Sequence, residues 1–189
     1  MNFRDRPLII TDLETTGLDP YVHVILEIGA LVVDQRSLDV LHTWQVKVRP
    51  TTSALALAEP GALEVNGYSE EEWRDDAVSL RYALLAYMAY ARGGVFLAQN
   101  VTFDWGFMQA ALRATDVKST LDYHRLDLAS LSWLRWPELE SVSLSAVAEG
   151  LGLGREPRPH RALAGAKLAL EILRRIKFET TFSEGTKCL

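Results

Sequence analysis

Two acidic residues one position apart, Asp12 and Glu14, close the run Ile9-Ile10-Thr11 and precede the turn-forming Thr15-Thr16-Gly17. Ile9 and Ile10 are β-branched strand formers, and alternate side chains of a strand share a face. Asp12 and Glu14 therefore point one way and Leu13 the other. Carboxylates held that close repel each other unless a proton or a cation lies between them. A strand tip of this kind is a bed for Mg²⁺ or Mn²⁺, which take hard oxygen ligands; taken alone, it also reads as a solvated strand end. A second acidic residue group, Asn100-Val101-Thr102-Phe103-Asp104-Trp105, follows the apolar run Val95-Phe96-Leu97-Ala98 and opens a helix. There Asp104 either holds a metal or simply complements the positive end of the helix. A third candidate, His160, follows Pro157 and Pro159, which set an extended approach to the last long helix. The helix dipole disfavours a charged imidazole at that point and favours a neutral one that can take a proton from water.

The elements that must position these groups follow from periodicity. Residues 7–12 read as a first strand, Val24 to Val33 as a second and Leu41 to Val48 as a third, the last alternating through Thr43, Gln45 and Lys47. Short turns join them into an antiparallel meander. Ser69 is an N-cap serine with Glu72 three residues on, so a helix is expected from there to about Ala91, stopped by Gly93-Gly94. Val95–Ala98 is a fourth strand and Thr120 to Tyr123 a fifth. Helices are expected from soon after Thr102, at about Leu126–Trp136, at Ser143–Gly150 and at His160–Lys177. Three meander strands followed by strands alternating with helices imply an α/β layer structure on a mixed five-stranded sheet. Residues 1–177 are expected to form one domain, and 178–189, which lack periodicity, a frayed tail.

Bulk properties narrow the function classes. The chain has 189 residues, 48% of them hydrophobic, enough for one sizeable core. A formal net charge of −5 argues against a broad cationic face gripping a long duplex, but not against a cleft that holds a few nucleotides. The single cysteine, Cys188, permits no internal disulfide. The first residues lack an apolar signal core and no window is apolar enough for a membrane span, so a cytoplasmic location is expected and a membrane partner is not. Trp73, Trp105, Trp133 and Trp136 fall on expected helices and read as core or interface rather than base-stacking platforms.

Taken together, the three segments resemble the DEDDh family of 3′-to-5′ exonucleases, the group of polymerase III proofreading subunits, RNase T and oligoribonuclease. Asp12-Leu13-Glu14-Thr15-Thr16-Gly17-Leu18 is similar to the first family motif. Asn100-Val101-Thr102-Phe103-Asp104 is similar to the second and His160-Arg161-Ala162 to the start of the third. Leu63-Glu64-Val65-Asn66-Gly67-Tyr68-Ser69 resembles the segment before the long helix. The resemblance spans about residues 7 to 176 and implies an RNase H-like fold and hydrolysis of terminal phosphodiesters with two divalent ions. It implies that Asp12 bridges both ions, Glu14 supports the ion beside the nucleophile, Asp104 holds the second and His160 is the general base. It further implies that Thr15, Thr16 and Gly17 meet the terminal 3′ hydroxyl, that Leu18 wedges beside the last base, and that Phe103 packs near the sugar. Asn66 and Asn100 are then phosphate or backbone partners. For Phe103 and Trp105 core packing is the favoured reading.

The third motif departs from the family pattern. The aspartate expected five residues after His160 falls on Gly165. Glu171, six residues further, is turned about 600° at 100° per residue, roughly 120° from the required direction. Glu149 and Glu156 are near in sequence, but nothing in the sequence brings them to the site. One of the two ion sites is expected to be weakened, and a loss of about 4 kcal/mol would slow the reaction roughly a thousandfold. The expected substrate is a single-stranded DNA or RNA 3′ end, acted on within a homodimer or a polymerase-type assembly. The alternative is an impaired module that binds 3′ ends within a larger assembly.

Overall fold

In the computed structural model, which describes residues 2–178, β1 (Leu8–Thr15) sorts its side chains onto the two faces of a sheet. Ile9 and Leu13 pack with Tyr87, Met88, Phe96 and Phe107 on one face. Leu8 and Ile10 pack with Leu31, Leu97, Leu170 and Ile172 on the other. Both faces of β1 are thus covered, and its odd-numbered Thr11 is satisfied by the Tyr87 hydroxyl at 2.7 Å.

Among the described residues, five strands form this sheet in the order β3-β2-β1-β4-β5. β2 (Ile25–Val33) and β3 (Val40–Lys47) complete the antiparallel meander with β1. β4 (Val95–Ala98) and β5 (Arg125–Asp127) join β1 in parallel. This is the mixed RNase H-like arrangement. Between β3 and β4 run α1 (Thr52–Leu55), α2 (Pro60–Asn66), α3 (Glu70–Trp73) and α4 (Leu80–Tyr90). α5 (Val101–Thr115) follows β4, and α6 (Leu128–Arg135), α7 (Leu144–Gly150) and α8 (Ala162–Phe178) follow β5.

The single helix expected from Ser69 to Ala91 is two helices. The interruption pays a backbone debt at the sheet margin: Val78 N–H donates to the Lys47 carbonyl (3.0 Å), and Arg49 N–H donates to the Val78 carbonyl (2.8 Å). Ser79 then caps α4 by accepting from Tyr82 N–H, repeating what Ser69 does for α3. The fifth strand lies at Arg125–Asp127 and not at Thr120–Tyr123. The Thr120 carbonyl accepts from Gly93 N–H (2.8 Å) and its hydroxyl donates to the Met88 carbonyl, so this segment is tied to the end of α4 before the chain reaches the sheet. Of the expected tail, Phe178 ends α8, and 179–189, with Cys188, lie outside the described residues.

α8 is the element that closes the site. A Cβ built on Gly29 of β2 would lie 2.2 Å from both the Ala162 carbonyl carbon and the Leu163 nitrogen. Only glycine lets the first turn of α8 settle backbone-to-backbone on the sheet at that point. Gly29 is the cross-strand partner of Asp12, so the start of α8 is delivered beside the first carboxylate. No helix of the described residues is long and apolar enough to cross a membrane.

Candidate active site

Asp12 and Glu14 leave the same face of β1, near its C-terminal end, toward the start of α8. Asp12 is half-buried, and Glu14 is buried directly across from Glu27 of β2. Asp104 stands in the first turn of α5, 4% exposed, close to the Leu13 backbone. β4 and the turn at Asn100 aim α5 at the end of β1. His160 precedes α8, with its backbone N–H donating to the Val65 carbonyl at 2.9 Å. Three separate segments thus meet at one end of β1.

The electrostatics of this cluster are those of carboxylates lacking a counter-charge. Burial, then Asp104, Glu14, Glu156 and Glu27, push the Asp12 carboxyl well above the ordinary range. Burial, then Glu156 and Glu27, push Glu14 up to about 8, against a lowering by Arg161. Burial pushes Asp104 up to about 8 despite its hydrogen bonds. The His160 imidazole is pulled down by burial and by Arg158, which favours the neutral ring. Such a set holds either protons or cations, and its hard oxygen donors suit a divalent metal. Arg161 is the nearby positive charge. It donates to the Asn66 carbonyl, pairs with Glu72 and lies 5.4 Å over the Trp73 ring. That tether keeps it at the rim beside Glu27, whose carboxyl is also raised by burial.

Gly165 faces the site. A Cβ built there would lie 2.5 Å from Asp12 Oδ2 and 2.7 Å from Asp12 Cγ, so the Asp12 carboxylate rests against the bare glycine. Glu171 points away and pairs with Arg174 at 2.6 Å. Glu149 pairs with Arg155 outside the cluster. Glu156, which the sequence does not bring to the site, does reach it. Its Oε2 is 3.5 Å from His160 Nδ1. One donor atom each from Glu14, Glu156 and His160 lie within 4.8 Å of one another. Burial raises the Glu156 carboxyl to about 7. The only local signal is spacing: Glu156 stands four residues before His160, across two prolines.

The remaining predicted positions fall into two groups. Thr15, Thr16 and Asn66 are engaged within the fold. The Thr15 hydroxyl donates to the Gly17 carbonyl (2.7 Å), the Thr16 hydroxyl accepts from Val24 N–H (3.0 Å), and the Asn66 amide donates to the Thr15 carbonyl (3.0 Å). Gly17 sits so close to His23 that a Cβ would be 2.5 Å from its Nε2. Leu18, 72% exposed, and Asn100, exposed at the N-cap of α5 with no capping bond from its side chain, are open to solvent. Phe103 is half-buried against Phe107 with ring centroids 5.0 Å apart, and Trp105 packs edge-on to Phe96 with Arg125 over its ring. Both aromatics join the core on that side, as expected.

The family model described as Exonuclease, RNase_T, matches residues 9–173. The chain belongs to this exonuclease family. A DNA polymerase III of the PolC type from Thermotoga petrophila is 28% identical over 176 residues, covering 92% of this chain but 12% of that protein. The chain is therefore similar to a small segment of that polymerase. Among solved structures, Escherichia coli ExoI in complex with single-stranded DNA superposes with a TM-score of 0.78 at 17% identity, over 92% of this chain and 40% of that one. The nuclease domain of 3′hExo, a DEDDh family member bound to rAMP, gives 0.75 at 18% identity over 90% of both chains. The two structural likenesses establish the fold around the carboxylate cluster.

Proposed function

We propose that the chain is a metal-dependent 3′-to-5′ exonuclease acting on the 3′ ends of single-stranded DNA or RNA. The observation that supports this most is the meeting of Asp12, Glu14, Asp104 and His160 at one end of β1 in a chain of the exonuclease family. In this reading Asp12, Glu14 and Asp104 would hold divalent cations, Mg²⁺ or Mn²⁺, with Asp12 common to the set, Glu14 serving the side of the attacking water and Asp104 the side of the leaving group. Bound there, such cations acidify water and offset charge developing on the phosphate. His160, neutral near pH 7, accepts the proton of the water that attacks phosphorus. The bond from phosphorus to the 3′ oxygen breaks. A nucleoside 5′-monophosphate leaves, and the new 3′ end takes a proton from solvent. Leu18 and Asn100 are open to the strand end, while Thr15, Thr16, Gly17 and Asn66 shape the turn that receives it; Phe103 backs the sugar from the core side. A homodimer or a polymerase assembly would both suit a cytoplasmic enzyme of this kind, and likeness to a segment of PolC favours the assembly.

The test is a 5′-labelled single-stranded oligonucleotide, DNA and RNA in parallel, with Mg²⁺ or Mn²⁺. A ladder shortening from the 3′ end, abolished by chelator and by Asp104→Asn, is expected. Neither binding nor shortening of either strand would sink the proposal. Gly165 favours one second reading, a 3′-end binding module. It predicts tight oligonucleotide binding without turnover, even after Gly165→Asp.

A further inference from the structure

The position that Gly165 leaves without a carboxylate is not open space. The Asp12 carboxylate lies against the glycine, and an aspartate Cβ at 165 would overlap it unless Asp12 turned away. A ligand for the cation beside Glu14 must then come from another element. The segment between α7 and α8 brings one. Glu156 has a side chain only 8% exposed, and its Oε1 is buried with no hydrogen-bond partner. Its other oxygen faces His160 Nδ1 at 3.5 Å. A buried carboxylate with a bare oxygen is costly unless something positive completes it. Around it stand Glu14, Asp12 and the imidazole of His160, and Arg161 is held at the rim by Glu72 and the Asn66 carbonyl. The ion-pair contact of the Glu156 carboxylate is with His160.

We propose that Glu156 is the fourth carboxylate of this chain: it completes a divalent-cation site with Glu14, beside His160, in place of the missing aspartate at 165. This rests on the exonuclease reading for the cation's purpose, but the ligand assignment is measurable without any nucleic acid. Glu156 reaches the cation from a loop, not from the first turns of α8.

The experiment is Mn²⁺ binding to the full chain, read by the loss of the free-ion paramagnetic resonance signal and by the thermal shift with and without metal. Glu156→Gln should weaken Mn²⁺ binding at one site by about ten-fold or more, equivalent to about 1.4 kcal/mol. The same variant should melt higher than the parent when metal-free above about pH 7, where the parent carries a buried charge that the variant lacks. Glu156→Asp, one methylene shorter, should lose affinity to a smaller extent and serves if the glutamine variant folds poorly. Gly165→Asp in the Glu156→Gln background should recover Mn²⁺ affinity, and Glu149→Gln, outside the cluster, should leave it unchanged. Unaltered Mn²⁺ binding by folded Glu156→Gln and Glu156→Asp overturns the proposal. A parent that binds Mn²⁺ through Glu156 yet never shortens an oligonucleotide would instead overturn the exonuclease reading and leave the ligand assignment standing.

Discussion

Gly165→Asp is the most discriminating substitution. A new carboxylate would enter a site where burial already pushes Glu14 and Asp104 up to about 8. Its Cβ would start 2.5 Å from Asp12 Oδ2, so Asp12 must rotate away before the new side chain can be seated. Two unit charges about 5 Å apart at an effective dielectric of about 20 repel by roughly 3 kcal/mol. Uptake of a proton relieves part of this, so the metal-free variant should lose about 1–3 kcal/mol. For a chain of this size each kcal/mol is about 2–4 °C in Tm. A fall of roughly 3–10 °C in chelator is therefore expected, largely restored by saturating Mn²⁺ through linkage. Turnover of a 5′-labelled single strand should change by less than about ten-fold, because Glu156 already supplies the ligand; ten-fold is about 1.4 kcal/mol of barrier. Differential scanning fluorimetry and single-turnover digestion measure the two quantities. A gain of roughly a thousandfold, the figure for supplying a wholly missing ligand at about 4 kcal/mol, would refute the assignment of Glu156.

Three further outcomes follow from the same geometry. In chelator, stability should fall as pH rises from about 6.5 to 8, checked by thermal melts. Glu14, Glu156 and Asp104 hold protons in the folded chain up to about 7–8 that the unfolded chain has released near 4. His160, lowered by burial, opposes this only below its ordinary value near 6.5, so a flat or rising melt above that pH contradicts the reasoning. Asp104→Asn should abolish digestion and, above about pH 8 where the buried carboxyl loses its proton, raise the metal-free Tm by removing a buried charge; a lowered Tm in chelator at that pH would mean the carboxylate is structural. Gly29→Ala should cost about 3 kcal/mol by chemical denaturation and reduce Mn²⁺ affinity as well, because the added methyl meets the α8 backbone at 2.2 Å and pushes that helix away from Asp12. Wild-type stability in that variant would refute the close approach.

What was legible in the sequence divides by the range of the signal. The two-residue period around Asp12 and Glu14 placed both on one face and Leu13 on the other, as the two core clusters confirm. The β-branched runs located β1 to β4 within a few residues. Interruptions were harder. Ser69 and Ser79 each cap a helix, but Ser79 is followed three residues on by Tyr82 instead of a glutamate, and the pairing of Val78 with Val48 at the sheet margin separates the two helices. β5 was displaced because Arg125–Asp127 is three residues long and half-buried, with no apolar run to announce it. Glu156 was illegible for a different reason. It stands on a segment with no period, after Gly152 and Gly154 at φ +70° and +81°, and a loop's direction is set by tertiary contacts rather than by spacing.

The substitution at 165 and the arrival of Glu156 are two sides of one packing problem. The first turn of α8 touches the sheet at Gly29, and Gly165 lies three residues beyond Ala162, on the same side of that helix. Asp12 is therefore caught between the sheet and α8, with its carboxylate leaning onto the bare backbone. An aspartate at 165 would supply its ligand from a rigid helix, but only with Asp12 turned. With glycine there, Asp12 keeps its orientation, and in the proposed arrangement the carboxylate comes from a proline-flanked loop instead. A helix-borne ligand is ordered before the cation arrives, whereas a loop-borne one has to be held by its own contacts. In this chain the burial of Glu156 and its approach to His160 perform that holding. With Glu156 as the proposed ligand, cation affinity and the order of the segment before α8 become one linked quantity, not two separate ones.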